Sequence, residues 1–212
     1  MRMLLLAALF ALSPAAQAHP PAGAYRLAEG PDAAGMLVIA PDGGYEYGLA
    51  VGALDEYSQG RWEARGDAVC LITDPKPVPP VFEKAEPLAV EGAVPTLLVT
   101  WPDGDAISGI DFVIGFDEGD SVAGYTQYNG WTMPDDDPRT PRWIEVSEPV
   151  YDIGAPRFEL GEGDAGRLHL RLIPNDLGRV DLTDACFAAQ GDRFVLRRRE
   201  GEMRFVWVGD EE

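Results

Sequence analysis

Helical periodicity is almost missing from this chain, and its absence excludes the glycine-rich loop before a helix that cradles phosphate in nucleotide-binding folds. Histidine is nearly absent too, with only His19 and His169. No Gly-x-Ser-x-Gly occurs, so a Ser-His-Asp triad would have to be built on His169, which stands between two arginines in Arg167-Leu-His-Leu-Arg171. Catalysis is disfavoured on these grounds. Two cysteines without a Cys-x-x-Cys exclude a dithiol redox centre and a cysteine-rich zinc site. Positive charge is short as well: 17 Lys and Arg face 36 Asp and Glu, a net charge of −19. Nucleic acid and anionic lipid are bound mainly through Lys and Arg, so neither is an expected partner.

What the chain has is, first, an amino terminus of the secretory type. Arg2 is followed by the apolar run Leu4 to Leu12, then Ser13-Pro14 and an Ala16-Gln17-Ala18 cleavage pattern. Residues 1–18 are read as a signal peptide, His19 as the mature amino terminus, and the location as periplasmic or secreted. No later segment is apolar for the roughly twenty residues a membrane helix needs. Loss of Arg2 leaves a mature charge of −20. With 46% hydrophobic and 9% aromatic residues, the composition is that of a folded acidic protein rather than an acidic tail. Such a surface serves solubility and admits cationic or divalent ligands. In an oxidising compartment Cys70 and Cys186 are expected to pair, which would make the two ends of the chain neighbours in space.

Turn signals recur about every ten residues, with period-two alternation between them, the pattern of antiparallel strands with one wet face. Met36-Leu-Val-Ile39 enters the turn Pro41-Asp-Gly-Gly44, and Tyr45-Glu-Tyr-Gly-Leu49 returns from it. Gly60-Arg-Trp-Glu-Ala64 turns at Arg65-Gly-Asp67 into Ala68-Val-Cys-Leu-Ile72. Residues 19–74 therefore read as an antiparallel meander. The spacing of Gly23, Tyr25, Leu37, Ile39, Pro41, Asp42, Gly43, Tyr45, Gly60, Trp62, Gly66, Asp67 and Leu71 resembles the β-meanders of lipocalin-like bacterial envelope proteins. That resemblance covers a quarter of the chain and implies binding of small or hydrophobic ligands, or an accessory role in the envelope. A full barrel needs about eight strands, and the meander supplies half of them.

Residues 75–95, opening with Pro75-Lys-Pro-Val-Pro-Pro80, read as a proline-rich linker. Strand patterns resume across 96–212, including Thr96 to Trp101, Gly109 to Phe116, Val122 to Thr126, Trp143 to Val146, Arg167 to Leu172, Arg179 to Leu182, and a final hairpin turned at Glu200-Gly201. This part is expected to form a larger β-sandwich. Around Tyr125 and Asn129-Gly-Trp131 it is similar to transthyretin-like and carboxypeptidase-regulatory sandwiches. The fold class is thus all-β, an antiparallel meander plus a sandwich. Fifty residues of meander bury too little apolar surface alone, so the meander must pack on the sandwich or share a sheet with the C-terminal hairpin.

Three constellations are candidates for chemistry. Tyr125, Tyr128, Trp131 and Trp143 surround an acidic loop and would suit stacking on sugars or cations; the same residues would equally fill a sandwich core. Asp135, Asp136 and Asp137 crowd one loop and are the best calcium candidates, although no Asp-x-Asp-x-Asp-Gly loop is present. His19 at a cleaved terminus would chelate copper through its amine and imidazole with His169 as a third nitrogen, an arrangement resembling a histidine brace. Arg167 and Arg171 argue against it, leaving a frayed terminus and a surface histidine as the plain alternative. No cofactor is called for. The function that follows is an exported, non-catalytic binding or accessory protein whose partner is a small molecule, a glycan or an envelope protein. A copper or calcium protein and a carbohydrate-active hydrolase are the competing classes.

Overall fold

In the computed structural model, which describes residues 19–28 and 30–209, five hairpin-linked strands open the chain. They are β1 (Gly23–Leu27), β2 (Ala33–Ile39), β3 (Gly44–Val51), β4 (Leu54–Arg65) and β5 (Ala68–Thr73). The predicted signal peptide lies outside the described residues. The β2–β3 turn forms as its residues dictate: Asp42 Oδ1 accepts from the Gly44 amide at 3.0 Å, and Trp62 Nε1 on β4 donates to the Ala40 carbonyl at 2.9 Å. Eight further strands follow: β6 (Val81–Ala85), β7 (Leu97–Thr100), β8 (Asp111–Phe116), β9 (Val122–Tyr125), β10 (Pro141–Glu148), β11 (Ile153–Gly154), β12 (Phe158–Glu159) and β13 (Leu168–Ile173). The last three are β14 (Cys186–Gln190), β15 (Arg193–Arg198) and β16 (Gly201–Gly209). The chain is all-β.

The strands β14 to β16 do not join the sheets formed by the middle of the chain. They close the meander into an eight-stranded antiparallel barrel of order β1-β16-β15-β14-β5-β4-β3-β2. Closure leaves no open edge on either side of the meander, which is the physical reason a four- or five-stranded piece recruits the far end of the chain. The Cys70–Cys186 disulfide forms across β5 and β14, between residues directly opposite in the ladder. Side chains fill the barrel axis: Tyr25 meets Phe187 and Phe194 at ring separations of 4.8 Å, and Leu37, Ile39, Leu71 and Phe205 are fully buried around them. At one end Tyr45, Ser58 and Thr73 form a buried hydroxyl cluster that also receives the Leu182 amide.

Residues 81–173 make two smaller sheets around a second core. One has the order β6-β13-β7, with β13 and β7 parallel; the other runs β11-β10-β8-β9, with β12 added on β10. Phe82, Leu97, Val99, Phe112, Ile114, Ile144, Leu168 and Leu170 from both sheets form one buried cluster. The stretch read as a linker carries β6, which pairs with β13 over Val81 to Ala85, because only its first half is proline-rich. Arg179 to Leu182 is extended but makes only an isolated bridge to Tyr57, so the expected strand there is a connector.

Candidate binding surface

The four aromatics divide two and two. Tyr125 closes β9 on the outer face of the β8–β9–β10 sheet, opposite Asp111, and is 60% exposed. Tyr128 sits on the following turn and is 74% exposed, the most open of the large apolar side chains among the described residues. The turn is fixed by reciprocal bonds between the backbones of Gln127 and Gly130, 3.2 and 2.9 Å long. Gly130 has φ +77°, and a Cβ there would lie 2.4 Å from the Leu97 carbonyl oxygen, so glycine is required. Trp131 then exchanges two backbone bonds with Leu97 and packs its ring on Phe112 at 5.2 Å. Two exposed tyrosines, three residues apart, are therefore held by a turn riveted to the core.

Trp131 and Trp143 are not the open surface rings that the aromatic set implies. Trp131 belongs to the edge of the second core. Trp143 lies flat over Gly115, where a Cβ would be 2.0 Å from the indole, and the Arg157 guanidinium covers it with its carbon 3.7 Å from the ring centre. Arg157 is in turn held by Glu145 at 2.8 Å. Alternation alone does not separate a ring that projects from one that folds down over a glycine.

The acidic loop does not gather its carboxylates. Asp137 turns back onto Arg139 through both carboxylate oxygens, the shortest contact being 2.6 Å, and the guanidinium also lies 4.1 Å from the Phe116 ring centre. That bond holds the Asp137 carboxyl below the usual carboxylate range. Asp135 and Asp136 face solvent. His19 packs against Trp62 on the barrel, with Nδ1 2.9 Å from the Pro20 carbonyl. His169 is not a surface histidine: it is 4% exposed, because the chain leaving β6 passes over it. Its Nδ1 donates to the Glu86 carbonyl at 2.5 Å, and Nε2 meets Thr100 Oγ1 at 3.0 Å. Both ring nitrogens are thus engaged by the second unit. No group of three or more His, Cys, Asp or Glu suited to a metal ion occurs among the described residues.

One cluster has no counterpart in the sequence pattern. At a mouth of the barrel, Arg198 on β15 makes a two-pronged bond to Glu56 on β4, at 2.5 and 3.2 Å, and also donates to the Tyr47 hydroxyl at 3.2 Å. Both charged side chains are nearly nine-tenths buried. They border a cleft of about 630 Å³ between the barrel mouth and Tyr151 and Asp152 of the second unit. Glu56 and Arg198 are 142 residues apart, and only barrel closure brings them together. Arg198 also pairs with Glu200 through Nε at 3.3 Å, so the guanidinium is engaged on both sides by the barrel itself, and the cluster is a plug for the mouth rather than an open site. No protein-family model, curated protein or solved structure matches this chain.

Proposed function

We propose that this is an exported, non-catalytic binding protein that takes a neutral glycan on the face presented by Tyr125 and Tyr128. The observation that carries the reading is the pairing of strong exposure with rigid support at these two residues. A large apolar ring left in water on a fixed turn costs hydration free energy that burial under a ligand recovers, at about 25 cal/mol per Å². The two Cα atoms are separated by at most about 11 Å, a span compatible with neighbouring sugar rings. Asp111, opposite Tyr125, and Asn129, in the turn, supply exposed oxygen acceptors for hydroxyl groups. A net charge of −19 favours a neutral partner over an anionic one. Export is supported by the amino-terminal pattern and by the disulfide.

The test is a glycan array probed with the processed protein and with a Tyr125→Ala/Tyr128→Ala variant. Saturable retention of neutral glycans, weakened at least about tenfold in the variant and with no sugar released, is the expected result. Retention unchanged by the double substitution, or product release, refutes the reading.

A further inference from the structure

The outer face of the β6-β13-β7 sheet is chemically out of character for this molecule. Alternate residues of a strand share a face, so Arg167, His169 and Arg171 line up along and just before β13, with the arginine Cα atoms about 13 Å apart. They border a concavity of about 630 Å³ together with Lys84, Glu86 and Asp164. Three cationic side chains and two carboxylates border the concavity, and Glu83, opposite Arg171, adds a third carboxylate to the same face.

Of these charges, Lys84 and Asp164 neutralise one another at 2.5 Å, and the second Asp164 oxygen accepts from the Gly161 amide at 2.8 Å. Arg167 and Arg171 make no side-chain hydrogen bond or ion pair with any described residue. Glu86 contributes its backbone carbonyl to His169, and Glu83, the cross-strand partner of Arg171, forms no ion pair with it. His169 stands between the two arginines along the strand, and all three border the concavity. Because a carbonyl only accepts, Nδ1 carries the proton toward Glu86, and Nε2 shares a hydrogen bond with the Thr100 hydroxyl. The ring is held by two hydrogen bonds beside two unpartnered arginines, whose forks match the paired oxygens of a carboxylate or phosphate.

We propose that this concavity binds a small soluble oxyanion, a phosphate or carboxylate group held between the Arg167 and Arg171 guanidiniums beside the His169 ring. It lies on a different sheet from Tyr125 and Tyr128, so it stands or falls separately from the glycan reading. The long-range repulsion from the acidic surface does not forbid it, since at physiological salt that field decays over about 8 Å.

The test uses the two-histidine content of the processed chain. Imidazole signals of His19 and His169 are followed by nitrogen-15 NMR while sodium phosphate, or separately citrate, is added at constant pH and ionic strength. The His169 signals are expected to move saturably, with half-saturation below about 1 mM, while those of His19 stay in place. Arg167→Ala/Arg171→Ala should weaken the response at least about tenfold with the circular dichroism spectrum unchanged, and Arg61→Ala on the barrel should leave it intact. No saturable movement of His169, equal movement of both histidines, or full affinity in the double variant overturns the proposal. Capture by phosphatidylglycerol vesicles without a response to free phosphate or citrate also overturns it, by assigning the arginines to a membrane surface.

Discussion

Single side chains here divide into those whose role follows from chemistry and those whose role follows from a neighbour. Tyr25 is of the first kind: it is fully buried in the barrel, its hydroxyl donates to the Pro21 carbonyl, and burial pushes its pKa up to about 12 from 10.0. The folded chain then holds the phenolic proton more tightly than the unfolded one, so this contribution to stability is complete below pH 10 and is lost as the pH rises toward 12. Tyr25→Phe should lose about 1 kcal/mol at pH 8 yet fall off less steeply above pH 10, read from urea midpoints at both pH values; a slope equal to the parent's contradicts this. Gly115 is of the second kind. Gly115→Ala must displace the Trp143 indole and should cost about 1 to 3 kcal/mol with a change in tryptophan emission; an unaltered midpoint and spectrum would show that the indole is not seated there. The sequence offers Trp143 and Tyr128 as equals, and nothing in their own codons of alternation tells that one folds over a glycine while the other caps a turn.

At the scale of elements, local signals carried far. The Pro41 to Gly44 and Arg65 to Asp67 turns, the flanking strands and the final hairpin are legible because turn chemistry and two-residue alternation are properties of adjacent residues. Less visible was β6, whose strand follows directly on prolines, and the bridge-only stretch after Gly178, where an alternating pattern has only Tyr57 to pair with. The disulfide was readable from compartment and count, and it rivets β5 to β14 where two distant parts of the chain meet. Its loop spans 116 residues, so reduction, or a Cys70→Ser/Cys186→Ser change, should lower unfolding free energy by roughly 4 to 5 kcal/mol in denaturant titrations. A loss below about 1 kcal/mol would mean that the ladder alone keeps the barrel closed.

For the molecule as a whole, the sequence told the class and half the barrel, and it left open whether the meander shares a sheet with the C-terminal hairpin. The reason is that closure is decided by contacts between strands more than a hundred residues apart, such as β1 with β16, and no local pattern records them. The same non-local assembly creates the Glu56–Arg198 plug at the barrel mouth and leaves the tyrosine turn as the open aromatic surface of the second unit. The proposed binding role rests on that surface, and tyrosine nitration with and without a retained glycan tests it most directly. Tyr57, half exposed on the barrel, serves as the internal reference. Tyr125, Tyr128 and Tyr57 should all be nitrated in the free protein, and saturating glycan should shield Tyr125 and Tyr128 while Tyr57 still reacts. Shielding of Tyr57 or Tyr151 instead, or equal reaction at Tyr125 and Tyr128 in both states, would contradict the proposed role.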